Sequence, residues 1–136
     1  HGWSGFEQKQ SAQDIYEKSS MAARETGLPG AHNGPQDAAR HCIGSAETTR
    51  QYGAVIAGTL GEANEKKGDL THNQTSEEKS MDRHNNFEGI KIGSDSKSFK
   101  QVVEQCVVAV TTGKTVNSLP PSDQQHPYTA KEVDTK

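Results

Sequence analysis

Long apolar runs and basic clusters are both missing from this sequence. The longest apolar run, Val107–Val110 or Cys106–Val110 with the cysteine counted, covers at most five residues, whereas a membrane-spanning helix needs about 20. We therefore expect no membrane span. The densest basic pair is Lys66-Lys67, and the net charge is -3. A surface that tracks a phosphate backbone needs far more clustered positive charge, so we exclude nucleic-acid binding.

Aromatic and cysteine residues are also scarce. Aromatic residues make up 5% and hydrophobic residues 29% of the 136 positions, which indicates one domain with a modest core of small side chains. Such a core would gain from an extra constraint. The two cysteines, Cys42 and Cys106, lie on apolar helix faces that could meet. We predict a bridge between them in an exported protein, and two buried free thiols are the alternative.

Apolar residues at helical spacing predict an all-α fold, a compact bundle of about four helices around a central helix. The predicted helices cover about 11–26, 35–65, 75–93 and 96–112, and the valines of the last would also suit a strand. The second helix has only a narrow charged band, so we expect other helices to cover it on most sides. We divide the chain into a helical domain, 1–113, and an extended or partly disordered tail, 114–136, which contains Pro120-Pro121.

The second predicted helix carries a candidate acid or base. His41 follows Arg40 and faces a sector of small and hydroxyl side chains, which is typical of a cleft floor where an imidazole moves a proton. The alternative is a histidine that hydrogen-bonds a neighbouring helix. Glu65 lies 24 residues later, roughly 36 Å away along a straight helix. His41 and Glu65 can therefore share a site only if the helix breaks, and Gly58 and Gly61 are plausible break points.

A third polar segment, Met81–Asn86, lies on the next predicted helix. Asp82 precedes Asn85 and Asn86 by three and four residues, so these side chains share a helix face. An aspartate can orient a histidine, and asparagines can hold a substrate carbonyl. We assign catalysis to His41, Glu65 and Asp82, and substrate binding to four further residues: Arg40, His84, Asn85 and Asn86. Helix capping is the structural alternative for the asparagines.

The segments Gln36–Cys42, Tyr52-Gly53, Ala63–Glu65 and Met81–Asn86, with Gly89, together resemble an uncharacterised bacterial domain family. Its pattern reads D-A-x-R-H-x-x-W-x-A, then A-H-E, then M-D-x-x-N-N-x-x-G. The resemblance matches Arg40 and His41 to the R-H pair and Glu65 to the glutamate of A-H-E. It matches the third motif at four positions and the closing glycine: Met81, Asp82, Asn85, Asn86 and Gly89.

The resemblance implies a secreted or periplasmic bacterial protein, because the family occurs in secreted proteins and as a terminal domain of polymorphic toxins. The chain also begins at His1, which is consistent with a mature product after signal removal or with a trimmed chain. Two positions depart from the pattern. Asn64 stands where the family tends to have histidine, and Gly44-Ser45 replaces the tryptophan neighbourhood. The first departure argues against a two-histidine metal site.

No pair of the six histidines has zinc-site spacing, so we expect no metal and no cofactor. An N-terminal His1-Gly2 can chelate copper through its amine and imidazole. The enzymes that use this arrangement are β-sandwiches, however, and this chain is predicted to be helical.

Our leading hypothesis is a secreted effector- or toxin-type hydrolase that acts on a cell-envelope component, either peptidoglycan or lipid. Its expected partner is a cognate immunity or inhibitor protein. The alternative is a non-catalytic exported binding or inhibitor module, in which the motif residues form a hydrogen-bond network between helices. A network that opens into a cleft would favour catalysis, and an enclosed one would favour structure.

Overall fold

The computed structural model describes residues 8–72 and 74–127, apart from the side chains of residues 66–72. Five α-helices occur in this part of the chain: α1 (Ala12–Glu25), α2 (Pro35–Tyr52), α3 (Ala54–His72), α4 (Ser76–Asp95) and α5 (Phe99–Thr111). A short 3₁₀ helix, Ser122–Gln124, follows. The described residues form no strand, so the all-α prediction is confirmed. None of the described helices is long and apolar enough to cross a membrane.

Helix α2 is the central helix, because α1, α3, α4 and α5 all pack against it. Its core face is built from small side chains such as Ala39 and Ala46, which are fully buried. Val102 and Val110 of α5 complete this cluster. The sparse hydrophobic content therefore still makes a core, since small residues let the helices approach closely.

Two glycines of α4 set its distance from α2. A Cβ atom at Gly89 would collide with the backbone carbonyl oxygen of Cys42, and one at Gly93 would collide with that of Ala46. The axes of α2 and α4 can therefore lie closer together than any side chain at these positions would allow. This close approach places the polar face of α4 directly against that of α2.

A disulfide joins Cys42 of α2 to Cys106 of α5, with a Cα–Cα distance of 5.8 Å. The predicted bridge is confirmed, and the alternative of two free thiols is wrong for this structure. Both cysteines are fully buried in the core cluster. The bridge therefore fixes α5 to the central helix at a point that water does not reach.

The prediction of one continuous helix over residues 35–65 is wrong. The chain breaks at Gly53, whose φ of 95° lies outside the helical region, and α3 then runs on to His72. Glycine adopts this backbone conformation without the steric cost that a Cβ atom imposes. Gly58 and Gly61, the expected break points, lie inside α3 instead. Residues 66–72, which lie beyond the end of the predicted second helix, also belong to α3.

The other helix predictions agree with the structure to within a few residues. Ser11 caps α1 by accepting the Asp14 backbone N–H. Thr75 and Glu78 form a capping box at the start of α4. The valine-rich segment predicted from residue 96 is a helix, with Ser98 as its N-cap.

The described part of the tail, which we call the strap (residues 114–127), lies along α4. Asn85 donates to the Val116 carbonyl at 2.9 Å and accepts the Val116 N–H at 2.8 Å. Further along, the Ser76 N–H donates to the His126 carbonyl at 2.7 Å. The strap is therefore extended and held by hydrogen bonds. Residues 128–136, to which the prediction of disorder also applies, lie outside the described residues.

Candidate functional site

Four helices enclose a cavity of about 860 Å³, which we call the site cavity. Tyr16 of α1, His41 of α2, Glu65 of α3 and Asp82 of α4 all line it. The cavity opens to solvent, and the His41 side chain is 16% exposed. Three polar segments that are far apart in sequence therefore meet around one opening.

His41 is held between α2 and α4. Its Nδ1 lies 3.1 Å from Asn86 Oδ1, so the imidazole donates its Nδ1–H to this carbonyl oxygen. Its Nε2 lies 3.3 Å from Asp82 Oδ1. The ring orientation is thus set by α4, and Nε2 is the atom that faces the carboxylates.

Asp37 and Asp82 approach His41 from two helices. Asp37 precedes His41 by one helical turn, and its Oδ1 lies 3.8 Å from His41 Nε2. Both aspartates are buried, at 4% and 6% exposure. Burial alone would raise the pKa of Asp37, but the His41 and Arg40 charges beside it hold that pKa below its usual range. Burial keeps the pKa of Asp82 above its usual range, although the His41 charge partly opposes this.

Glu65 is a buried carboxyl whose burial is only partly compensated, by a side-chain hydrogen bond from Gln74 and the charges of Lys79 and Arg83. It is 5% exposed, and its Oε1 has no hydrogen-bond partner within the described residues. Burial, followed by the charge of Asp82, raises the pKa of Glu65 to about 7. A carboxyl with this pKa can both donate and accept a proton near neutral pH. The break at Gly53 is what lets α3 fold back and bring Glu65 to the cavity.

Arg40 forms an ion pair within its own helix. Its Nη2 lies 2.6 Å from Asp37 Oδ1 and 3.2 Å from His41 Nε2, and its guanidinium lies over the Tyr16 ring at 5.5 Å. The side chain is 29% exposed. Arg40 therefore lies at the cavity but is already engaged by Asp37, and its predicted role in binding an anion stays a prediction.

The structure separates the two neighbouring asparagines. Asn86 lines the site cavity, whereas Asn85 is buried against the strap. His84 also contacts the strap, since its Nε2 lies 2.8 Å from the Lys114 carbonyl oxygen. Neither His84 nor Asn85 lines the cavity. Their observed contacts are with the strap, and their substrate-binding role stays a prediction.

Sequence reasoning did not assign a role to Asp37 or Gln74. Asp37 lies four residues before His41, a spacing that puts both side chains on one face of α2, so this signal was present. Gln74 lies in the connection between α3 and α4, and its Nε2 donates to Asp82 Oδ2 at 3.1 Å. No periodicity marks a loop residue of this kind.

Glu47 is a buried carboxylate outside the site cavity, and hydrogen-bond donors compensate its charge fully. Glu47 is 0% exposed and accepts hydrogen bonds from Lys18, Arg50 and Gln51 at 2.6–2.8 Å. Burial opposes ionisation of Glu47, but these donors hold its pKa below the usual range. Glu47 joins α1 to α2 as a structural group. Glu65 and Asp82 differ from it because each keeps a buried oxygen without a hydrogen-bond partner among the described residues.

The sequence matches, over residues 6–116, the family described as a domain of unknown function, DUF6973. Because the match covers most of the chain, this protein belongs to that family. No solved structure matches the chain. Membership agrees with the expectation of an uncharacterised domain family, while the short motifs and the association with polymorphic toxins stay predictions. His1, whose possible role in copper chelation we set aside above, lies outside the described residues.

Proposed function

We propose that this member of the DUF6973 family is an exported hydrolase of effector type that cleaves a bond in the bacterial cell envelope. The observation that carries the proposal is the convergence of His41, Glu65, Asp82 and Asn86 on one open cavity. Buried polar groups that serve only structure are normally saturated with partners, as Glu47 is. Incompletely paired carboxyls beside a histidine in a cleft are typical of catalytic sites.

The geometry supports acid–base hydrolysis by these groups. A water molecule beside His41 Nε2 and Asp82 Oδ1 would give one proton to this pair as its oxygen attacks the carbonyl or acetal carbon. The departing oxygen or nitrogen would take a proton from the Glu65 carboxyl as its bond to that carbon breaks. Solvent then restores the proton to Glu65 and removes the one held by the pair, so the net change is the addition of water.

The lining of the cavity favours a polar substrate. Amide and hydroxyl side chains make up about half of its polar lining, and charged or titratable side chains make up most of the rest. The amide and aliphatic hydroxyl residues are Gln13, Ser19, Asn33, Ser45, Thr48, Asn64, Gln74 and Asn86. Tyr16 supplies one aromatic ring at the edge, with 53% of its surface exposed. Such donors and acceptors suit a polymer rich in hydroxyl and amide groups better than an acyl chain. We therefore favour peptidoglycan over lipid.

The disulfide supports an oxidising compartment. Bridges such as Cys42–Cys106 persist in secreted and periplasmic proteins and are rare in the cytosol. The bridge is therefore compatible with an exported protein. Peptidoglycan lies outside the cytoplasm, where an exported protein would meet it. A producing cell that exports such a hydrolase would need protection, so a cognate inhibitor encoded by an adjacent gene is the expected partner.

The non-catalytic binding module is less well supported. In that case the His41–Asp82–Asn86 network would be an enclosed joint between α2 and α4. Instead it opens into the site cavity, and Asp82 Oδ1 has no hydrogen-bond partner within the described residues. A structural joint would gain stability from a paired oxygen at this position.

The test is digestion of purified peptidoglycan by the oxidised full chain. Cleavage is measured as the release of reducing ends or free amino groups. The variants His41→Gln and Asp82→Asn should lose at least about 100-fold in rate, because loss of one proton-transfer group typically costs that much. The matched controls His126→Gln and Asp95→Asn change exposed residues outside the cavity and should keep full activity. Melting temperatures of all four variants check that the fold is retained.

Each outcome bears on a different part of the proposal. Cleavage of phospholipid vesicles without cleavage of peptidoglycan would replace the substrate but keep the hydrolase. Unchanged activity in His41→Gln would remove the proposed site, and the absence of hydrolysis on either material would overturn the proposed function. Expression in the periplasm should be toxic where expression in the cytoplasm is not.

A further inference from the structure

Three side chains of the site cavity point one ligand atom each toward a common position. His41 Nε2 lies 3.3 Å from Asp82 Oδ1 and 3.8 Å from Asp37 Oδ1, and all three ligand atoms lie within 4.8 Å of one another. Ligands bound at about 2.0–2.2 Å in a tetrahedral arrangement are about 3.3–3.6 Å apart. The separations from His41 therefore come close to those around a four-coordinate metal ion.

The outer atoms of the same three side chains are all held by hydrogen bonds. His41 Nδ1 donates to Asn86 Oδ1 at 3.1 Å. Asp37 Oδ2 accepts the Asn33 backbone N–H at 3.0 Å, and Asp82 Oδ2 accepts from Gln74 at 3.1 Å. Metal-binding histidines and carboxylates are oriented by outer contacts of this kind. The second nitrogen of His41 and the second oxygen of Asp82 are left facing inward.

A buried carboxylate oxygen that accepts no hydrogen bond is the independent observation that points to a ligand. Asp82 is 6% exposed, and its Oδ1 has no hydrogen-bond partner within the described residues. Glu65 Oε1, also in the cavity lining, is buried and unpartnered in the same way. Burying a carboxylate oxygen without compensation is costly, and a cation bound by Asp82 Oδ1 would compensate it.

We propose that Asp37, His41 and Asp82 form a binding site for a divalent transition-metal cation of the Zn²⁺ type. One imidazole and two carboxylates suit such ions, whereas Mg²⁺ and Ca²⁺ prefer oxygen ligands alone. This site uses residues of the proposed hydrolase but stands without it, since metal binding is measured without substrate. A cation held here would act as a Lewis acid that promotes deprotonation of the attacking water, and the proton would pass to solvent because His41 would hold the ion.

Arg40 competes with the cation for Asp37. Its Nη2 lies 2.6 Å from Asp37 Oδ1 and 3.2 Å from His41 Nε2, so the guanidinium must move out before the ion enters. The Arg40 side chain is 29% exposed and lies over the Tyr16 ring, which gives it a route toward solvent. Replacing Arg40 should therefore strengthen metal binding, a result that a merely structural network does not predict.

The experiment is calorimetric titration of the chelator-treated, oxidised full chain with ZnCl₂, together with melting curves with and without Zn²⁺. We expect binding of one ion per chain and a rise in melting temperature. Asp82→Asn and His41→Gln should weaken zinc binding at least 10-fold. Asn86→Ala should weaken it about 10- to 100-fold through loss of the outer contact. Arg40→Gln should tighten zinc binding. Circular dichroism checks that each variant folds.

Controls separate this site from other zinc ligands on the chain. His126 and Glu77 form an exposed pair, and His126→Gln should leave the tight binding unchanged. Unchanged affinity in both Asp82→Asn and His41→Gln would overturn the site, as would weaker binding in Arg40→Gln. Equal affinity for Ca²⁺, Mg²⁺ and Zn²⁺ would overturn the transition-metal class. Zinc binding without hydrolysis would refute only the proposed function, and hydrolysis without zinc binding would refute only this inference.

Discussion

Replacing Glu65 with glutamine should stabilise the protein at alkaline pH and have no effect at acidic pH. The ordinary pKa of this carboxyl is 4.5, and in the folded chain burial and the charge of Asp82 raise the pKa to about 7. Protonated Glu65 is therefore the form that the fold favours. The stability that this preference contributes is fully present below pH 4.5 and is lost as the pH rises through about 7.

The magnitude follows from the difference between the two pKa values. At about 1.4 kcal/mol for each pKa unit, ionisation of Glu65 lowers the free energy of unfolding by roughly 3 kcal/mol once the pH is well above 7. Glutamine has nearly the same shape as the protonated acid and does not ionise. The variant should therefore exceed the wild type by about this amount at pH 8, which corresponds to roughly 10 °C in melting temperature for a chain of this size.

The assay is urea unfolding of both proteins at pH 4 and pH 8, with a chelator present so that no cation neutralises the cavity. Taking the difference between the two proteins at each pH cancels all groups that they share. Glu104→Gln is the matched control, since Glu104 is exposed on α5 and its replacement should give no pH-dependent difference. An equal gain at both pH values, or a loss at pH 8, would refute the argument that burial of Glu65 governs its ionisation.

Two further predictions concern the packing around α2. Gly93→Ala should lower the free energy of unfolding by several kcal/mol in urea titrations, because its Cβ atom would collide with a backbone carbonyl of α2. The control Gly58→Ala should be neutral or stabilising, since a Cβ atom at Gly58 meets nothing within 4 Å. Equal effects of the two changes would contradict the close approach of α2 and α4. Reducing the Cys42–Cys106 bridge should cost about 4 kcal/mol in the chain-entropy model, since it closes a loop of 64 residues, and an unchanged unfolding midpoint in reductant would contradict this.

Much of the helical structure could be predicted from the sequence. Apolar spacing and capping residues such as Ser11 and Thr75 act over one or two turns, so they mark helix ends whatever the rest of the chain does. The position of the break between α2 and α3 could not be predicted from these signals. Gly53, Gly58 and Gly61 are equally able to leave the helical conformation, and only packing selected Gly53.

In the candidate site, too, some contacts could be predicted from the sequence and others could not. Asp37 and His41 share a face of α2 by spacing alone, and Asp82 and Asn86 share a face of α4, so the sequence by itself determined these pairs. Tertiary structure alone decided that the two pairs meet, that Glu65 joins them, and that Asn85 turns to the strap instead. The reason is physical: helical periodicity orders side chains within one element, whereas distance between elements depends on a backbone break and on glycines that let α2 and α4 approach.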